Sequence, residues 1–240
     1  RQGHKYGCRN WWNKILNRLR KKLDHLLSNK EKALVAYLVA GDPDLDSTLD
    51  LMHLFVESGV DIIEVGVPFT DPIAEGPVIQ KAHDRALKNN ISLPKIIKLV
   101  EDFRKNDNST PIILMGYLNT FSYYKNLIDN SDQHGVDAVL VVDIPGELSI
   151  ASYGISNPNI DSISLISPTT SEERIEKIAK NGSGFIYYVT LRGVTGSSNL
   201  DVKEINTNIQ KIRSYSDIPT LAGFGIKSNE DAKLLSEYSD

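Results

Sequence analysis

One carboxylate lies inside an apolar run of this chain. Residues 61–67 read DIIEVGV, so Glu64 has a branched aliphatic neighbour on either side. Burying a lone carboxylate is costly unless it is paired or protonated, and an apolar setting raises its pKa toward neutrality. Such a group suits general acid/base chemistry. A structural ion pair is the alternative, but none of the predicted strands carries a Lys or Arg within its run.

The residues that directly follow the predicted strands include no histidine, cysteine or lysine. The proton chemistry is therefore expected to fall to carboxylates and tyrosines, which favours lysis or isomerisation over a covalent intermediate. The five histidines show no ligand-like spacing and are interpreted as helix or surface residues, so no metal is predicted. Cys8 is the only cysteine, which fits a reducing, cytoplasmic compartment.

Two glycine loops follow the last predicted strands, GVTG at 193–196 and GFG at 223–225. Glycines let backbone N–H groups approach a ligand closely, as phosphate sites do after the last strands of a barrel. One such loop is weak evidence because glycine turns are common. Two on adjacent strands predict a phosphate-bearing substrate.

Short β-branched runs alternate with amphipathic segments along the chain. The predicted strands are 34–40, 61–67, 111–117, 137–142, 161–166, 184–191 and 218–222. The predicted helices are 46–58, 78–105, 120–133, 171–180, 201–214 and 228–238. Strands that are apolar on both faces and alternate with helices indicate a parallel sheet.

Seven such units without a GxGxxG motif favour a (β/α)8 TIM barrel over a dinucleotide-binding sheet. The eighth strand and its helix are missing from the sequence, which ends at Asp240. The expected fold is therefore an α/β barrel truncated before strand eight, with two open edges and an extra N-terminal helix. We expect a basic segment at 1–30 and the barrel domain at 31–240.

The basic segment carries eight of the 27 Lys and Arg residues within residues 1–22, and no acid. Apolar residues recur every fourth position from Trp11 to Leu27, which predicts an amphipathic helix. A membrane-surface helix or transit segment is one possibility, but a helix packed on the barrel fits the unbroken stripe better. The rest of the chain is acidic, which argues against nucleic-acid binding, and no apolar run is long enough for a membrane span.

Seven segments, in order along the chain, resemble the tryptophan synthase alpha chain. They are AYLVAGDPD, DIIEVGVPFTDPIAEGP, ILMGYLN, VLVVDIP, ISPTTSEERI, YYVTLRGVTG and AGFGI. The resemblance covers roughly residues 30–240 and implies a lyase that cleaves indole-3-glycerol phosphate to indole and glyceraldehyde 3-phosphate.

The resemblance also implies roles for particular residues. Glu64 would be the acid/base group, and Glu75 would bind the indole N–H, in a position where the family pattern DPxADGP has aspartate. Asp71 of the same loop is the second-ranked candidate for that carboxylate. The residues implied to surround the substrate are Tyr37, Tyr187 and Phe224 for the indole ring and its vicinity, Gly196 and Gly225 for the phosphate, and Thr195 in a closing loop.

The partner implied by the resemblance is a pyridoxal-phosphate-dependent beta chain in an α2β2 heterotetramer, contacted partly through the loop after strand two. No cofactor is expected in the alpha chain itself. Two other hypotheses remain open at this point. One is a different phosphate-binding barrel, such as an isomerase or synthase acting on a phosphoribosyl compound. The other is a truncated or degenerate alpha chain that only binds or activates a beta chain.

Overall fold

The computed structural model describes residues 17–190, 202–223, 226 and 228–240. The strands are β1 Val35–Val39, β2 Ile62–Gly66, β3 Ile112–Gly116, β4 Ala138–Val141, β5 Asp161–Ile166, β6 Ile186–Val189 and β7 Thr220–Gly223. The α-helices are α1 Arg18–Asn29, α2 Leu45–Glu57, α3 Pro77–Lys88, α4 Leu93–Arg104, α5 Leu118–Tyr123, α6 Lys125–Asp129, α7 Glu172–Asn181, α8 Val202–Tyr215 and α9 Asn229–Ser236. Two 3-10 turns cover Ser131–His134 and Ile150–Tyr153.

The strands form one parallel sheet in the order β1 to β7, each paired with the next along the chain. Sequential parallel pairing with intervening helices curls the sheet into the TIM-barrel-like arrangement that the sequence predicts. The predicted strand positions are confirmed to within a few residues at each end. In the register of the sheet, Tyr37 on β1 lies beside Glu64 on β2, which in turn lies beside Ile113 on β3.

Apolar side chains fill both faces of the sheet. On the inner face, residues from several strands form a cluster that also includes Leu19 and Leu23 of α1. That helix therefore packs against the barrel, as the sequence analysis preferred, although the part of the stripe before residue 17 lies outside the described residues. The division at residue 30 stays a prediction. None of the described helices is long and apolar enough to cross a membrane.

The prediction of one continuous helix over 78–105 is wrong. The chain leaves α3 at Asn89, and Asn90 takes a left-handed backbone conformation with a φ of 53°. Ser92 then takes the N-cap position of α4, and a proline lies in its first turn. Asn tolerates the left-handed region and proline favours a helix start, so these residues end one helix and begin the next.

Strands β1 and β7 do not pair with each other within the described residues. Asp240 lies between Thr220, the first residue of β7, and Ala33, two residues before β1. Its carbonyl oxygen accepts the Ala33 N–H at 2.9 Å, and its own N–H donates to the Thr220 carbonyl oxygen at 2.9 Å. Its side chain accepts a hydrogen bond from the Thr220 N–H and forms an ion pair with Arg213.

Candidate active site

Glu64 lies in the middle of β2 with its side chain on the inner face of the sheet. It is 6% exposed, and no Lys, Arg or His of the described residues forms an ion pair with it. Burial, and then the nearby charge of Glu75, raises the pKa of Glu64 to about 7. The alternative of a structural ion pair is therefore not found among the described residues, and the carboxyl can both give and take a proton near neutral pH.

Glu75 lies in the loop between β2 and α3 and is 8% exposed. The hydroxyl of Tyr117 donates to its Oε1 at 3.4 Å and also accepts the Ala74 N–H at 3.1 Å. Burial raises the pKa of Glu75, and the Tyr117 hydrogen bond opposes that rise. Tyr117 therefore holds both the carboxylate and the backbone beside it.

Asp71 occupies a different environment in the same loop. It is exposed, and its carboxylate accepts a hydrogen bond from the neighbouring Thr70 hydroxyl at 2.8 Å. Of the two loop carboxylates, Glu75 is the one that is buried like Glu64 and whose charge raises the pKa of Glu64. The geometry favours Glu75 over Asp71 as the second carboxylate.

Tyr37 and Tyr187 approach the two carboxylates from β1 and β6. Burial and the charges of Glu64 and Glu75 raise the pKa of both phenols, so both stay protonated at neutral pH. Burial raises the pKa of Tyr117 to about 12, together with the charge of Glu75 and the hydrogen bond to it, while the hydrogen bond from the Ala74 N–H opposes the rise. These tyrosines can act as hydrogen-bond donors and as walls of the site, but not as bases.

Two glycines leave room for two of these rings. A Cβ atom on Gly66 would lie 2.3 Å from the Tyr37 hydroxyl, and one on Gly223 would lie 2.9 Å from the Tyr187 ring. Side chains at these positions are therefore excluded unless the tyrosines move. The alternation of side chains along a strand puts Gly66 on the same face of β2 as Glu64, and the contact with Tyr37 agrees with that placement.

The remaining predicted site residues are Thr195, Gly196, Phe224 and Gly225, and they lie outside the described residues. The predicted phosphate loops fall largely on this part of the chain. Within the described residues, no group of three or more His, Cys, Asp or Glu side chains could hold a metal ion. The structure thus brings Tyr37, Glu64, Glu75 and Tyr187 close enough for the carboxylate charges to act on the other groups.

Both the sequence and the fold of this chain are similar to those of known proteins. A family profile for the tryptophan synthase alpha chain matches residues 23–240. The chain belongs to the tryptophan synthase alpha-chain family. A curated alpha chain from Nitrosomonas europaea is 44% identical over 229 residues, which cover 94% of this chain and 83% of that protein.

Solved structures of the family superpose on the fold. The tryptophan synthase alpha subunit of Legionella pneumophila matches with a TM-score of 0.84 at 39% identity, covering 94% of this chain and 85% of that one. A chain from the tryptophan synthase α2β2 complex of Pyrococcus furiosus matches with a TM-score of 0.76 at 35% identity, covering 86% and 84%. A chain from another structure of the Pyrococcus furiosus tryptophan synthase complex also matches the fold, with a TM-score of 0.74 at 34% identity.

Sequence reasoning missed two residues of the site in this alpha chain. Tyr117 was noted only as the end of a strand, and its contacts with Ala74 and Glu75 depend on how the loop folds back. His83 was interpreted as an ordinary helix histidine, yet it is 2% exposed and contacts the same loop. A signal for His83 was available, because it falls on the buried stripe of α3 with Ala82 and Ala86.

The contact between Gly66 and Tyr37 leads to a prediction for this alpha chain. Gly66→Ala should lower kcat/KM for indole release by about tenfold or more, because the new methyl group displaces Tyr37 from the site. In the double variant Gly66→Ala/Tyr37→Phe, the atom nearest to that methyl group is gone. The fold-loss of kcat/KM in the double variant should therefore be smaller than the product of the fold-losses in the two single variants. Steady-state kinetics of the four proteins measures this, and strictly multiplicative losses would contradict it.

Proposed function

We propose that this chain cleaves indole-3-glycerol phosphate to indole and glyceraldehyde 3-phosphate, with Glu64 and Glu75 as the catalytic carboxylates. The observation that carries the proposal is the pair of buried carboxyl groups at one mouth of the sheet. One of them has a pKa of about 7, and tyrosines surround them. The family membership supplies the substrate.

The reaction is a retro-aldol cleavage, which needs one proton delivered and one removed. Indole C3 takes a proton, and the resulting positive charge shifts to the ring nitrogen. The bond from C3 to the glycerol carbon then breaks, and its electron pair restores the aromatic ring. The hydroxyl group on that carbon gives up its proton and becomes the aldehyde, so no oxidant or reductant is consumed.

Glu64 suits both proton transfers. With a pKa near 7 it is present in the acid and the carboxylate form at neutral pH, so it can protonate C3 and afterwards accept the hydroxyl proton. It then returns to its starting state. The protonated tyrosines Tyr37 and Tyr187 cannot compete for that proton.

Glu75 suits the positive charge on the indole nitrogen. A carboxylate that accepts the indole N–H in a buried setting stabilises the charge that develops there. The hydrogen bond from Tyr117 favours the ionised form of Glu75. If Glu75 is the ionised member of the pair, its charge keeps Glu64 protonated and ready to donate.

The other substrate contacts are proposed from the family pattern alone. Tyr37 and Phe224 would flank the indole ring, and Tyr187 would lie near Glu64. The backbone N–H groups of Gly196 and Gly225 would hold the phosphate, and Thr195 would belong to a loop that closes over the substrate.

The alpha chain is proposed to need no cofactor of its own, because the indole ring itself accepts the electron pair of the breaking bond. Pyridoxal phosphate belongs to the beta chain. Part of the surface for that partner is proposed to be the start of α3 and the loop before it. Ile73 there is 83% exposed and Val78 is 76% exposed, which is unusual for large aliphatic residues. Cysteine usage supports a cytoplasmic location.

The experiment is indole release from indole-3-glycerol phosphate by the purified chain, with and without an added beta chain. Release by the chain alone, stimulated by the beta chain, would support both the activity and the partner. No indole under either condition would refute the lyase. Activation of the beta chain by a lyase-inactive alpha chain would instead establish the binding-only alternative.

The choice between the two loop carboxylates is tested by a matched pair of variants. Glu75→Gln should lower kcat/KM by about 10²- to 10³-fold, because the charge facing the indole nitrogen is lost. Asp71→Asn makes the same chemical change at an exposed position of the same loop and should cost less than about tenfold. The reverse order of the two losses would assign the role to Asp71.

A further inference from the structure

One buried histidine, His83, contacts both the loop after β2 and Tyr37 of β1. It lies on α3, outside the strands, and is 2% exposed. Its Nδ1 accepts the backbone N–H of Phe69 at 3.0 Å, and its Nε2 lies 3.4 Å from the Tyr37 hydroxyl oxygen. An accepting Nδ1 carries no proton, so in the neutral ring Nε2 carries it and donates to Tyr37.

These two contacts join the two sides of the site. Tyr37 lies on β1 beside Glu64, whereas Phe69 lies at the start of the loop that carries Glu75. The ring of Phe69 stacks on Tyr117, with centroids 4.8 Å apart, and Tyr117 holds Ala74 and Glu75. A continuous set of contacts therefore runs from Tyr37 through His83 and Phe69 to Glu75.

We propose that His83 is a positioning residue of the lyase site. Its neutral imidazole fixes the loop between β2 and α3 against Tyr37 on β1, and so sets the placement of Glu75 relative to Glu64. The proposal rests on the proposed function, since it concerns the geometry of that same pair of carboxylates.

A purely space-filling role fits the surroundings less well. The neighbours of His83 on the buried stripe of α3 are the alanines at 82 and 86. An aliphatic side chain among them would leave the Phe69 N–H without its acceptor, which costs free energy in a partly buried loop. Burial also lowers the pKa of His83, which keeps the ring neutral and able to accept.

Three variants separate the two contacts. His83→Asn keeps an oxygen near the position of Nδ1 but has no group that reaches Tyr37. Tyr37→Phe removes only the hydroxyl, and His83→Leu removes both contacts. Misplacement by about 1 Å can cost about 10²-fold in rate, so His83→Leu should lower kcat/KM by that order. His83→Asn should recover most of this loss, so that its kcat/KM lies only about three- to tenfold below that of the wild type.

The pair His83→Asn and Tyr37→Phe should be non-additive, because each removes the same hydrogen bond. The double variant should be no slower than the slower single one. His53→Asn is the control, since His53 is a partly buried histidine on α2 that stacks on Phe103. It should leave kcat/KM unchanged within about twofold. Failure of the asparagine to rescue the leucine variant, or fully multiplicative losses, would overturn the proposal.

One readout does not depend on activity. Nitrogen NMR of the histidine side chains, with the His83 signal assigned from its absence in His83→Asn, should show the Nε2–H tautomer near neutral pH. The Nδ1–H tautomer would overturn the positioning role even in an active enzyme. A wild-type chain that shows the Nε2–H tautomer but releases no indole would instead refute the proposed function.

Discussion

Glu64→Gln should nearly abolish indole release and at the same time stabilise the folded chain at alkaline pH. The kinetic loss is expected to be about 10²- to 10⁴-fold in kcat/KM, because glutamine can neither protonate indole C3 nor accept the hydroxyl proton. The gain in stability has the same origin as the activity. Glu64 is 6% exposed and has no ion-pair partner among the described residues, so its negative charge destabilises the folded state.

The pH dependence of that stability follows from the pKa values of Glu64. The pKa rises from 4.5 to about 7 on folding, so the native state holds this proton more tightly than the unfolded state. The free energy of unfolding therefore falls by a total of roughly 3 kcal/mol as the pH rises from about 4.5 to about 7. Above that pH it stays level. Glutamine does not ionise, so the variant lacks this fall.

Urea denaturation of both proteins at about pH 5 and about pH 8 measures the difference. The variant should exceed the wild type by less than about 1 kcal/mol at the lower pH and by about 2–3 kcal/mol at the higher one. Glu57→Gln, at an exposed glutamate of α2, should change neither activity nor the pH dependence. Equal stability of Glu64→Gln and the wild type at both pH values would contradict the account of a buried, unpaired carboxyl.

Asp161→Ala should destabilise the fold by about 3–5 kcal/mol, because it leaves the guanidinium of Arg20 buried without its carboxylate. Arg20 of α1 is 5% exposed and Asp161 of β5 is 1% exposed. Arg20 Nε donates to Asp161 Oδ2 at 3.0 Å, a second guanidinium nitrogen pairs with Oδ1, and Asn17 Nδ2 donates to Oδ2 at 2.9 Å. This cluster fixes α1 against the end of the barrel opposite the active site.

Two further variants separate burial from charge. Glu147→Ala removes an arginine–carboxylate pair of similar geometry at the surface, between Glu147 and Arg174, and should cost less than about 1 kcal/mol. The double variant Arg20→Met/Asp161→Leu should cost less than Asp161→Ala, since neither charge of the pair stays buried. Urea denaturation measures all three, and equal losses for Asp161→Ala and Glu147→Ala would contradict the structural role of the buried pair.

The strands and the position of Glu64 could be predicted from the sequence, because a strand that is buried on both faces has a continuous apolar composition. In such a run, a charged residue stands out. The alternation of a strand also placed Gly66 on the face of Glu64, and the structure explains the glycine by its contact with Tyr37.

The contacts of Tyr117 and His83 could not be predicted, because they depend on the path of one irregular loop. Nothing in the sequence indicates that this loop returns to give the Ala74 N–H to Tyr117 or the Phe69 N–H to His83. The break between α3 and α4 was missed for a different reason. Its signals, Asn90 and Ser92, are short and lie inside a segment with strong helical periodicity.

The most direct test of the central claim is the titration of the Glu64 carboxyl itself. Carbon NMR of the chain labelled at its glutamate carboxyl carbons can follow it, with the Glu64 signal assigned from its absence in Glu64→Gln. The account predicts an apparent pKa of about 7 for this signal, shifted downward when the charge of Glu75 is removed in Glu75→Gln. A Glu64 signal that titrates near the ordinary value of 4.5 would contradict it.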